Sequence, residues 1–135
     1  MASGNVELVR SIYASWQRGD YLSSAEWAHP DIELVIADGP APGSWTGLAG
    51  MADAVRDWLG GWKDYRTEPE EFRDVDDERV LVLIRRIGRG KRSGIDLGKM
   101  RAEGAGVFHV RDGKVIKLVN YWDREHALAD LGLSE

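Results

Sequence analysis

Four polar side chains sit among apolar neighbours, in positions where they could do chemistry. Asp38 follows Ile32, Leu34 and Ile36 on one face of "DIELVIAD". Tyr13 falls within the apolar stripe of Val6, Val9 and Trp16, and Asn120 lies between Leu118 and Trp122 on one face of "KVIKLVNYWD". His109 stands in "VFHV", just ahead of Asp112–Gly113. A carboxylate accepts a proton, a tyrosine hydroxyl and an amide can orient a ligand oxygen, and an imidazole changes charge near neutral pH.

Each residue also has a plainer role. Asp38–Gly39 can begin a turn, since aspartate hydrogen-bonds its own backbone there. Tyr13 can be a core tyrosine whose hydroxyl finds a protein partner. The Asn120 amide can be satisfied by neighbouring protein groups. The site depends on which elements carry these residues and which way they face.

Apolar residues at helical spacing make "NVELVRSIYASWQR" an amphipathic helix, capped by Asn5 or Ser3 and stopped at Gly19–Asp20. "YLSSAEWAH" reads as a short second helix broken before Pro30, and "DIELVIAD" as a strand. "GPAPGSWTG" interrupts the ladder with its prolines and glycines. A third helix follows, its stripe formed by Leu48, Met51, Val55, Trp58, Leu59 and Trp62. Four strand-like stretches come next: "YRTEPEEFRDV", "ERVLVLIRRIGR", "MRAEGAGVFHVR" and "KVIKLVNYW". Pro69 marks the first of them as an edge or bulged strand, and Asp123 and Gly132 bracket a last helix, "REHALADL".

Asp112–Gly113 is a hairpin signal that permits two registers. A two-residue turn pairs Val110 with Val115 and His109 with Ile116, which turns His109 inward. A glycine bulge shifts the pairing by one and turns Phe108 inward instead.

Helices followed by a strand meander make an α+β domain, and 135 residues suffice for one, spanning 1–135. The net charge of −5 argues against a nucleic-acid partner. "GRGKRSG" lacks the Walker spacing and reads as a hairpin tip or a basic rim for an acidic ligand. Cysteine is absent and the three histidines show no ligand spacing, so neither a disulfide nor a metal is expected. No segment is long and apolar enough for a bilayer and the start lacks a signal-peptide centre, so the expectation is a cytoplasmic protein without a membrane partner.

The order of elements, with "VELVRSIYASWQRGD", "GRGKRSG", "VFHVRDGKVIKLVNYWD" and "REHALADLGL", resembles the SnoaL-like branch of the nuclear transport factor 2-like superfamily. The resemblance implies a cone-shaped α+β barrel, with a curved antiparallel sheet wrapped over N-terminal helices and a C-terminal helix. It further implies a homodimer packed through the outer sheet face. Relatives include ketosteroid isomerases, polyketide cyclases, dehydratases, epoxide hydrolases and non-catalytic binding modules, so the fold does not select the activity.

The ketosteroid isomerase pattern combines a carboxylate base with a tyrosine and a protonated acid. The resemblance places Asp38 near the base and Tyr13 one residue from the tyrosine. Gly104, Ala105, Gly106 and Val107 occupy the stretch where the further acid belongs. It turns Leu118, Asn120 and Trp122 into the cone and sets Trp45, Trp58 and Trp62 near its mouth, with Trp16 on the first helix. The expectation is therefore an apolar, cyclic or polyketide-like ligand bound by Asn120, Trp122, Leu118, Trp16, Trp45, Trp58 and Trp62. Catalysis, if present, is cofactor-independent acid–base chemistry by Asp38, Tyr13 and His109. The alternative is a binding or dimerisation module that does no chemistry.

Overall fold

The computed structural model describes residues 4–21, 26–39, 42–91 and 103–133. Helix α1 spans Gly4–Gln17 and buries Val6, Val9, Ile12 and Tyr13, the face set by its apolar spacing. Asn5 lies inside the first turn rather than capping it, and its amide donates to the Asp77 carbonyl at 2.9 Å. Ser3 lies outside the described residues.

The expected second helix is corrected where it can be seen. Residues 22–25 lie outside the described residues and Glu26 is in a 3₁₀ turn of helix, but Trp27 is a turn residue and Ala28 and His29 already belong to strand β1, which runs from Ala28 to Ile36. Pro30 falls where the pairing of β1 shifts between Ala28 and Glu33, so its missing N–H costs no ladder bond.

A strand that the prolines seemed to forbid follows directly: β2, Gly43–Thr46, pairs antiparallel with β1. The prolines precede it, and its four residues place Trp45 opposite Leu34. Helix α2, Gly47–Gly60, buries Met51 and Ala54. It ends before Trp62, which opens strand β3, Trp62–Asp74, instead of extending the helical stripe.

Strands β4 (Arg79–Gly90), β5 (Glu103–Arg111) and β6 (Lys114–Tyr121) complete a six-stranded sheet of order β2-β1-β6-β5-β4-β3. The β1–β6 pair is parallel, so the curved, unclosed sheet is mixed rather than wholly antiparallel. β3 lies at the edge, with its pairing irregular at Pro69, as that proline requires. Gly88–Gly90 still belongs to β4, with Arg89 and Gly90 paired to β3, so the expected tip starts no earlier than Lys91. The rest of "GRGKRSG" lies outside the described residues.

The hairpin combines both expected registers. Asp112 and Gly113 take φ of 52° and 76°, the left-handed pair of a two-residue turn, and Val110 pairs with Val115. Ile116 is then bulged out, so His109 pairs with Lys117 and Phe108 with Leu118. One extra residue flips the alternation beyond it.

The sheet carries two cores. Its inner face, with Val80, Val82, Ile84, Phe108 and Leu118, packs on α1 and α2. Its outer face, with Leu81, Leu83, Ala105, Val107 and Tyr121, is covered by helix α3, Arg124–Leu131. Each fully buried large aliphatic side chain contributes about 1.5–3 kcal/mol. α3 is capped by the Asp123 carboxylate, which accepts from the Glu125 N–H at 3.1 Å, and ends at left-handed Gly132.

Candidate functional site

The hollow between the helices and the concave sheet face is a cavity of about 120 Å³. That is the scale of a single ring, since an apolar cavity of about 150 Å³ accepts benzene. Its walls are largely aromatic. Trp16 meets Tyr13 edge to face at 4.9 Å and Trp27 at 6.0 Å, while Trp58 meets Trp122 edge to face at 5.8 Å.

Two polar groups come together in the cavity wall. A Cβ built on Gly106 would lie 3.1 Å from the Tyr13 hydroxyl and 3.4 Å from Asn120 Oδ1. The missing side chain at Gly106 thus leaves room for both. Tyr13 is 2 % exposed, and burial pushes its phenol well above the ordinary range, against the pull of Arg86 and with the aid of Tyr65. The hydroxyl therefore keeps its proton at neutral pH and can donate it in a hydrogen bond. Burial, then Tyr65, also raises Tyr21 at the same cavity.

Asp38 lines the cavity, but its oxygens are already engaged. Oδ1 accepts from the Trp122 N–H at 2.5 Å, and Oδ2 receives the Asp123 N–H at 3.4 Å and contacts His126 Nδ1 at 2.8 Å. His126 Nε2 lies 3.4 Å from Asp130, which accepts the Tyr121 hydroxyl at 2.9 Å. The hydrogen bond to Asp38 raises the His126 pKa, with further support from Asp130 and Asp123. Burial and the bond to Asp130 push Tyr121 up to about 12. This chain fastens the end of β1 to the start of α3.

The expected site residues thus divide. Asp38, Tyr13, Asn120, Leu118, Trp16, Trp58 and Trp122 line the cavity. His109 does not: the Ile116 bulge sends it outward beside Lys117 and Arg79, and burial followed by the Lys117 charge lowers its pKa. Trp45 packs on the core from β2, and Trp62 stacks on Trp122 at 6.3 Å outside the lining. Glu68 and Glu103 pair with Arg85 and Arg124, respectively. The sequence reading did not single out Tyr65, Thr67 or the role of His126, and the adjacent Arg85 and Arg86 of β4 face opposite ways. Arg86 is the inward one.

Among the described residues no group of three or more His, Asp or Glu is arranged to hold a metal ion. Nor is any helix there long and apolar enough to cross a membrane.

The fold defines a class of protein, and the family comparison agrees with it. Residues 9–118 match the SnoaL-like domain model, so the chain belongs to the SnoaL-like family. No curated protein matches the chain. Among solved structures, an NTF2-like protein of unknown function from Burkholderia pseudomallei superposes with a TM-score of 0.78 at 20 % identity, covering 95 % of this chain and 97 % of the other. TerC, co-crystallized with polyporic acid, gives 0.75 at 24 %, covering 96 % and 98 %. A candidate polyketide cyclase from Sinorhizobium meliloti gives 0.65 at 20 %, covering 84 % and 93 %. At these identities the likeness establishes a shared fold.

Proposed function

We propose that this protein binds a small, largely apolar cyclic molecule inside the cone, with a ligand oxygen set in the notch between Tyr13 and Asn120. The observation that carries the reading is the meeting of these two polar groups at Gly106 within an aromatic wall. A few fixed polar groups in an apolar pocket orient a ligand, while the apolar area supplies affinity. TerC, which shares the fold, was co-crystallized with polyporic acid, in keeping with a ligand of this kind.

A second reading adds chemistry: cofactor-independent proton transfer of the isomerase or cyclase type, with Asp38 taking the proton. The Asp38–His126 contact at 2.8 Å favours it, because a histidine behind a carboxylate can share the proton. The Trp122 and Asp123 N–H groups weigh against it, since they hold the same carboxylate in a structural role.

Tryptophan fluorescence titrated with phenol tests the binding reading. Saturable quenching is expected, and Asn120→Leu should weaken it roughly 2- to 10-fold, the range for a neutral hydrogen bond. Unsaturable quenching, or an Asn120→Leu protein indistinguishable from the parent, would count against it.

A further inference from the structure

Arg86 is the buried charged side chain among the described residues, 5 % exposed, and it forms part of the cavity wall. Its partners are few. Nη2 donates to the Tyr121 carbonyl at 3.1 Å, and Cζ lies 5.1 Å from the Trp122 ring centre. Nη1 is enclosed and has no hydrogen-bond partner. The acidic residues near it on β3 and β5 are committed elsewhere: Glu68 to Arg85, Glu70 and Glu103 to Arg124. Among the described residues no carboxylate pairs with Arg86.

A guanidinium out of water with one carbonyl acceptor and one indole face is an incomplete arrangement, because buried charge is strongly unfavourable unless paired. The backbone nevertheless makes room for it. A Cβ on Gly104 would lie 1.9 Å from Nη1. The stretch Gly104–Val107, where the resemblance implies an acid, holds the tip of a cation instead. A protonated acid donates a neutral hydrogen bond to a ligand oxygen, whereas a guanidinium adds a full positive charge and so favours a ligand group that is itself anionic.

We propose that the ligand is an anion, a planar ring bearing a carboxylate that faces Arg86 while the ring lies among Trp16, Trp58 and Trp122. This rests on the binding reading above and narrows it to a substrate class. A guanidinium N–H left without an acceptor suits a carboxylate oxygen, with which it forms a charge-assisted hydrogen bond. The cavity of about 120 Å³ suits one ring.

Calorimetric titration with benzoate and its neutral analogue benzamide, at pH 7, tests the proposal in the parent protein, Arg86→Met and Arg86→Lys. Benzoate should bind the parent about tenfold or more tighter than benzamide, the scale of a charge-assisted hydrogen bond. Arg86→Met should lose that preference yet still bind benzamide, and Arg86→Lys should keep part of it. If Arg86→Met fails to fold, judged by circular dichroism, the parent's benzoate-to-benzamide ratio and Arg86→Lys decide. Equal affinities in the parent, or a preference that survives in Arg86→Met, would overturn the anion while leaving cavity binding intact. Binding of neither compound would remove both.

Discussion

The Asp38 carboxylate and the His126 imidazole meet at 2.8 Å across 88 positions of sequence, joining the end of β1 to the C-terminal helix. The contact raises the His126 pKa, so the folded protein holds that proton more tightly than the unfolded chain does. The stabilisation is fully present below the unfolded histidine pKa, about 6.5, and is lost as pH rises through the higher folded value. Thermal unfolding of the parent and of His126→Phe, followed from pH 5 to 9, should show the largest gap at the acid end and convergence at the alkaline end. A gap that widens with rising pH would show that the pair is not the cause.

Asp38→Asn tests whether the carboxylate fastens the fold. The amide keeps one acceptor oxygen, but its NH₂ group faces donors that the carboxylate satisfied, the Asp123 N–H and the His126 side. Loss of about 1–3 kcal/mol is expected in urea unfolding, the usual cost of leaving a partly buried hydrogen-bonding group without its partner. A variant as stable as the parent would free Asp38 for the role of base.

Gly104 and Gly106 should respond differently to a methyl group. At Gly104 the added Cβ would lie 2.5 Å from the Tyr121 carbonyl oxygen, a backbone atom that cannot step aside cheaply, as well as against Arg86. At Gly106 the closest atom is the Tyr13 hydroxyl at 3.1 Å, followed by Phe108 Cε1 at 3.3 Å. Gly104→Ala should cost about 1–3 kcal/mol of stability and Gly106→Ala less, as expected for severe and mild overpacking, respectively. Gly106→Ala should still impair phenol binding, because the notch is filled. Chemical denaturation and the fluorescence titration check both.

Tyr13→Phe removes one hydroxyl and keeps the ring contacts with Trp16, Phe72 and Phe108. Phenol affinity should fall roughly 2- to 10-fold. Because burial keeps the Tyr13 phenol protonated, the parent's affinity for a neutral ligand should not vary between pH 6 and 8. A steep loss within that window would mean that a different group holds the ligand oxygen.

The readable parts of the fold were those with a single periodicity. α1 and α3 declared themselves by apolar spacing, Asp123 and Gly132, while β6 alternated cleanly from Leu118 to Trp122. β2 was hidden because four strand residues directly follow prolines. The inward side of β4 had no phase, since Val80 to Ile84 are buried on both faces of the sheet. The alternation alone therefore does not say whether Arg85 or Arg86 faces the cavity. His109 depended on a bulge at Ile116, and one bulged residue decides which face of the strand follows. The partnership of Asp38 with His126 is a product of tertiary folding and left no local mark.

A crystal structure of the protein grown with phenol tests the central claim most directly. The account predicts the ring between Trp16 and Trp122, its oxygen about 3 Å from both the Tyr13 hydroxyl and Asn120 Oδ1. Phenol bound on the exterior, with the hollow closed by the indoles, would contradict it.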